Sequence, residues 1–274
     1  MNDFPSGGIT REYAGGKMLA AKDDGVGLVT FNQPEKRNAM SLEMWTGFGE
    51  ILDEFAEDGS VRVVILTGAG NKAFVSGADI SQFEKHRSNA NAQQEYDRLA
   101  GVGRAKYAAF PKPVIARIRG FCLGGGLAIA MQADMRIAAV DSQFGIPAAK
   151  LSVAYAPDSI KRLIDLVGPA HARMILYTAR RIDAAEAERI GLINKMVEDE
   201  ELSDEVLDVA RTIADNAPLS VAASKLTINE MLKDESQRDM AAIKRMSDTC
   251  FNSADFKEGR TAFMEKRAPR WVGR

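Results

Sequence analysis

Gly124, Gly125 and Gly126 follow an apolar run and precede a helical one, in FCLGGGLAIA (121–130). Glycines there leave main-chain N–H groups uncovered at a helix N-terminus. Unpaired donors and the helix dipole both favour negative charge at such a place. A phosphate held by a P-loop needs Lys and Ser or Thr after the glycines, but Leu127 and Ala128 stand there. A dinucleotide pyrophosphate needs the spacing G-x-G-x-x-G, which is absent. An enolate or tetrahedral oxyanion needs donors waiting where charge develops during reaction. A tight strand-to-helix turn with close packing is the structural alternative, and the triplet alone does not separate the two.

A second loop adds weight to the oxyanion. AFVSGADI (73–80) carries Gly77 between small residues, ahead of another expected helix start. Two glycine-bearing turns, each following a buried strand, bring two N–H groups towards one point, and an oxyanion hole needs two convergent donors.

The elements that would hold these loops read as α/β. KMLAAK (17–22) and GLVTF (27–31) are short strands around the turn DDG. Ser41 caps a helix with Leu42, Trp45, Phe48, Leu52 and Phe55 on one face. VRVVILTG (61–68) is a continuous apolar strand of the kind buried on both faces. A polar helix (91–108) leads to the buried strand VIARI, then to the glycines and their helix. MRIAA and SQFGI add short strands. After about residue 150 strands nearly stop, and helices are expected at 159–166, 170–178, 183–190, 200–214, 218–232 and 235–250. Gly191 closes one of them at the usual C-terminal position. This gives an α/β core over residues 1–195 and a helical region over 196–274, which suits packing on a neighbouring subunit.

Composition bounds the function. The chain has 274 residues, 46% hydrophobic, with a formal net charge of −2. That supports a large core and argues against a nucleic-acid partner, which would need a basic excess. No run of 18 apolar residues occurs, so no membrane helix is expected, and the N-terminus does not read as a secretory signal. Two cysteines, Cys122 and Cys250, fit a cytoplasmic protein without a disulfide framework. His86 and His171 lack helical partners at ligand spacing, so no metal site is expected.

FNQPEKRNAMS, AFVSGADI, RGFCLGGGLAIAMQADMRIAA, FGIP, AERIGLINKMV and TAFMEKR, in that order, resemble the enoyl-CoA hydratase/isomerase family, the crotonase superfamily. The resemblance runs from about residue 16 to the C-terminus. It implies a spiral of ββα repeats with a helical trimerisation region at the C-terminus. It implies an acyl-CoA substrate, with coenzyme A as part of that substrate and no permanently bound cofactor, and a homotrimer or a hexamer built as a dimer of trimers. It assigns the oxyanion donors to the N–H groups of Ala78 and Gly125. A thioester supports negative charge alpha to its carbonyl, and one good donor to that charge is worth about 3 kcal/mol.

The same resemblance exposes a departure. Hydratases of the family use two glutamates, at positions that match Ala128 and Ala148 here. Alanine transfers no proton. The loop SVAYAPDSIKRL offers Tyr155 and Asp158 as substitutes, and its tyrosine resembles the arrangement in methylmalonyl-CoA decarboxylase. That decarboxylase has a histidine where this chain has Ala78. Tyr155 either orients a substrate or donates a proton, or else packs at the pocket rim. Asp158 also reads as a cap for a helix starting near Ser159. Glu84 and His86 read as solvated, and Cys122 as a small core residue. CoA contacts implied by the resemblance are Lys36, Arg37, Asp79 and Ile80, with Phe263 and Lys266 often supplied by a neighbouring subunit.

Three functions follow. The first is an acyl-CoA enzyme running enolate chemistry other than standard hydration, such as decarboxylation, another lyase reaction or hydrolysis. The second is a hydratase or isomerase with a substitute acid or base. The third is an inactive homologue that only binds CoA thioesters.

Overall fold

The computed structural model describes residues 10–79 and 90–274, with side chains from residue 94 in the second segment. Ile80, Glu84, His86 and the helix start expected after Gly77 lie outside the described residues or at their edge.

Strands β1 (Arg11–Tyr13), β2 (Met18–Asp23) and β3 (Val26–Phe31) form an antiparallel meander. It continues in parallel through β4 (Val63–Gly68), β6 (Val114–Ile118), β8 (Met135–Ala139) and β11 (Lys195–Val197), giving a seven-stranded sheet. After each of β4, β6 and β8 the chain crosses into a second, four-stranded sheet through β5 (Ala73–Val75), β7 (Phe121–Leu123) and β9 (Gln143–Gly145), edged by β10 (Ile182–Asp183). One strand in each sheet, then a helix, repeated, is the expected ββα spiral. The expected strands at 17–22, 27–31, 61–68, 114–118, 135–139 and 142–146 all form.

Helix α1 (Leu42–Glu57) starts as expected, with Ser41 Oγ accepting Met44 N–H at 3.3 Å. It packs against α2 (Ala90–Ala108). Helix α3 (Gly125–Gln132) follows the glycines. Residues 157–178 form α4, bent where Gly168 takes φ 73° and Pro169 removes an N–H. That bend is the gap expected between two helices there. Helix α5 (Ala184–Arg189) ends before Gly191, whose φ of 80° fits its closing role. The C-terminal helices are α6 (Leu202–Ala214), α7 (Pro218–Met231), α8 (Met240–Asn252) and α9 (Ala254–Glu265).

Alternate residues of β4 enter opposite cores, which is why its sequence is apolar throughout. Val64 and Leu66 join the main cluster with Phe31, Phe48, Phe74 and Phe144. Val63 and Ile65 join a second cluster beneath Leu202, Val206 and Ala210 of α6. Strand β11 straddles residue 195, and α6 covers the large sheet. The sheet layer therefore draws on chain from both sides of that point.

Candidate active site

Two loops face each other. In the first, Gly77 has φ 126°, a conformation open to glycine and strained for other residues. The chain from Met40 pairs alongside: Met40 N–H donates to Gly77 O at 2.8 Å and Asp79 N–H donates to Met40 O at 2.9 Å. These bonds use the groups on either side of Ala78, leaving its own N–H on the opposite edge. In the second loop, Gly124 (φ 51°) turns the chain into α3, so Gly125 is the first helical residue. Its N–H is one of those a helix cannot pair internally. Among the described residues, neither the Ala78 nor the Gly125 N–H donates to another main-chain group.

The two loops come within contact of each other. A Cβ placed on Gly125 would lie 3.7 Å from Ala78 N and 3.8 Å from Gly77 C. Gly125 is exposed and Ala78 half-buried. Two donors without a main-chain partner among the described residues, one of them at a helix N-terminus, thus lie on facing loops. Convergent donors of this kind are what an oxyanion would need.

The scaffold behind the donors is tightly held. Gly126 lies against Val75 of β5. Asn38 is fully buried; its Oδ1 accepts Gln33 N–H, and its Nδ2 donates to Ala69 O and Ala73 O. It ties the 33–38 loop to the turn between β4 and β5. Buried Arg136 donates to Ala133 O at 2.7 Å and to Leu192 O at 2.8 Å, placing a cation at the C-terminal end of α3. Tyr107 donates to Ile129 O on the same helix. Sequence reasoning missed Met40, Asn38, Arg136 and Tyr107 as supports; only the buried polar types Asn38 and Arg136 carried a hint.

Ala128 lies on the first turn of α3, and Ala148 in the 3-10 turn Pro147–Lys150; both are half-buried. That turn adjoins the glycine loop, since a Cβ on Gly124 would lie 3.8 Å from Pro147 Cδ. Tyr155 reaches the same loop, its hydroxyl donating to Gly124 O at 2.9 Å. Burial pushes its phenol well above the ordinary value. Cys122 adds to the rise, and the nearby Ser159 hydroxyl and the Arg104 charge pull partly back. Asp158 stands exposed in the first turn of α4. The expected cap is corrected here: α4 begins at Pro157 with Ala156 as its N-cap, so Asp158 lies inside the helix, where it suits the dipole. Cys122 is fully buried, and burial raises its thiol, as befits a core residue.

The cation candidates divide. Lys36 Nζ meets Asp79 Oδ2 at 2.7 Å beside the first loop. Arg37 lies over the Phe121 ring at 5.4 Å, with Arg181 over the same ring at 4.9 Å. Phe263 lies in the last turn of α9 and Lys266 follows the helix as its C-cap. Phe263 is 83% exposed and borders a groove of about 540 Å³ with Phe251, Arg260 and Trp271. No cluster of three or more metal-ligand side chains occurs among the described residues. No helix among them is long and apolar enough to cross a membrane.

The profile of the Enoyl-CoA hydratase/isomerase family matches residues 21–274. The chain belongs to that family. A short-chain-enoyl-CoA hydratase of Clostridium acetobutylicum is 37% identical over 250 residues, 91% of this chain and 95% of that protein. A carnitinyl-CoA dehydratase of Escherichia coli is 32% identical, over 90% of this chain and 94% of its own length. A crystal structure of an enoyl-CoA hydratase/carnithine racemase from Magnetospirillum magneticum superimposes with a TM-score of 0.89. It is 36% identical and covers 94% of this chain and 96% of its own. The fold of this crotonase-superfamily member is therefore shared along nearly its whole length.

Proposed function

We propose that this chain is an acyl-CoA enzyme that receives a thioester oxygen between the N–H groups of Ala78 and Gly125 and stabilises the negative charge that develops there. The carrying observation is the approach of the two glycine loops, with both donors unpaired by main chain among the described residues. Membership of the enoyl-CoA hydratase/isomerase family supports the substrate class. Coenzyme A enters as part of the substrate. Lys36, Arg37, Asp79 and Ile80 are proposed to meet its nucleotide end.

The reaction is proposed to differ from two-carboxylate hydration. Ala128 and Ala148 stand where such hydration would need its acid and base, and neither moves a proton. Decarboxylation fits this set. Loss of CO2 from an alpha-carboxylate leaves its electron pair on the thioester as an enolate, and one proton then completes the product. Other lyase reactions or hydrolysis would use the same donors. A hydratase or isomerase with a substitute acid or base is the second reading, favoured by the names of the relatives. Asp158 or a bound water would then supply the base. Tyr155 suits that role poorly, because its proton is held on Gly124 O and burial opposes its loss.

Mass spectrometry of crotonyl-, 3-hydroxybutyryl-, methylmalonyl-, ethylmalonyl- and aromatic acyl-CoA incubated with the pure protein separates these readings. Loss of CO2 or release of free CoA is the expected result. Gain of water on crotonyl-CoA would overturn the non-hydratase reading and point first to Asp158→Asn. Thioester binding without turnover of any of them would favour the inactive homologue.

The helices beyond α6 are proposed to build a trimer or a dimer of trimers, bringing Phe263 and Lys266 to a neighbour's CoA. Ile228, Leu232, Met240, Phe251, Phe263 and Met264 are large apolar residues left exposed on this region. Sedimentation should give three or six times the chain mass of 29.8 kDa. A monomer at micromolar concentration would refute the assembly.

A further inference from the structure

The Gly124 carbonyl and the Gly125 N–H are two ends of one peptide group. The carbonyl accepts the Ala128 N–H at 3.1 Å and the Tyr155 hydroxyl at 2.9 Å. The N–H end is the proposed donor to the thioester oxygen. We infer that Tyr155 is a positioning residue, whose hydroxyl fixes the plane of this peptide and polarises it so that Gly125 N–H becomes a stronger and better-aimed donor. The inference rests on the oxyanion-hole reading and assigns Tyr155 a place behind the hole, with no transfer of its own proton.

The physical basis is direct. A peptide whose oxygen accepts hydrogen bonds carries more positive charge on its N–H, and successive bonds strengthen one another by roughly 10–30% each. Gly124 needs such a restraint. It has no side chain, its φ is 51° and its ψ is −117°, and a glycine in such a turn rotates more freely than any other residue. The Gly124 N–H is already fixed, donating to Gly145 O at 2.8 Å. Tyr155 holds the other end of the residue from a position 31 residues later in the chain. Its ring packs against the main core, which holds the hydroxyl in place. Hydrogen bonding thus runs from Tyr155 through the Gly124–Gly125 peptide towards the proposed position of the substrate oxygen. Burial keeps the phenol protonated, which a permanent donor requires.

The test uses butyryl-CoA labelled with 13C at its carbonyl, a saturated thioester that cannot be hydrated, observed by isotope-edited infrared spectroscopy. With wild type the bound carbonyl band should fall below its position in free butyryl-CoA. Tyr155→Phe should bind the probe within twofold of wild type while losing about half of that displacement. On whichever thioester turns over, its kcat should fall about three- to tenfold with KM unchanged, the pattern of an interaction made in the transition state. Tyr155→Leu, which also removes the hydroxyl, should lose the displacement to the same extent, and it carries the test if Tyr155→Phe fails to fold. A wild-type band that does not move would remove the oxyanion-hole reading itself, whatever Tyr155 does. A full displacement in Tyr155→Phe would overturn the positioning role alone. So would a full displacement with kcat reduced a thousandfold, which would make Tyr155 a proton-transfer group.

Discussion

Gly125→Ala is expected to fold as well as the native chain and to lose about two to three orders of magnitude in kcat. Gly125 is the first residue of α3 and its φ is not positive, so alanine fits its backbone. The nearest atoms to the added methyl are Ala78 N at 3.7 Å, Gly77 C at 3.8 Å and Gly77 Cα at 3.9 Å, all ordinary contacts. Alanine also favours a helix over glycine by up to about 1 kcal/mol, so the melting temperature should hold or rise. The cost falls on the site. An acceptor oxygen must approach each N–H to about 2.9 Å, and the methyl takes the space between the two donors. Removing one such donor costs about 3–4 kcal/mol of transition-state stabilisation, or 10²–10³ in rate. Thermal melting and kcat on the accepted thioester check both halves. Turnover at the native rate would mean that the oxygen sits elsewhere.

What was legible in the sequence follows from how local each signal was. VRVVILTG and VIARI announced strands buried on both faces because each residue reports its own burial. Ser41 and Gly191 marked helix ends because capping acts within three or four residues. The strands β7, β10 and β11 have only two or three residues and gain their order from the sheet beside them, so no periodicity announced them. Helix α9 begins two residues after α8 ends, separated only by Ser253, whose hydroxyl accepts Phe256 N–H. At the site, the glycines were readable because a missing side chain is itself the signal. The bonds that hold them were not. Met40 acts through its main chain, and Asn38 reaches carbonyls 31 and 35 residues away. Tyr155 was noticed as chemistry, but a bond to a distant carbonyl leaves no mark in spacing. Family resemblance located the two alanines; physics then says what they cannot do.

Gly126→Ala, one residue further along, should act the opposite way and attack the fold. A Cβ there would lie 1.9 Å from Val75 O, 2.7 Å from Val75 C and 2.8 Å from Val75 Cβ. These are mostly main-chain atoms of β5, so no side-chain rotation relieves the clash. Helix α3 and β5 must separate by more than an ångström, yet both are held. Strand β5 pairs in parallel with β7 through Val75 and Cys122, and α3 is tied by Tyr107 and Arg136. Overpacking of well-packed cores costs about 1–3 kcal/mol and more where backbone must move. A loss of about 3 kcal/mol or more is expected here, a large share of the roughly 5–15 kcal/mol that holds a domain folded. At about 2–4 °C per kcal/mol the melting temperature should drop by roughly 6–12 °C. Any folded remainder should also turn over slowly, because Val75 leads within three residues to Ala78, and moving β5 pulls that donor away from Gly125. A native melting temperature in Gly126→Ala would show that β5 and α3 are not packed this closely. If the pair behaves as expected, adjacent glycines will have been required for separate reasons. Gly125 leaves room for a substrate oxygen, and Gly126 lets the helix that aims the donor approach the strand that aims its partner.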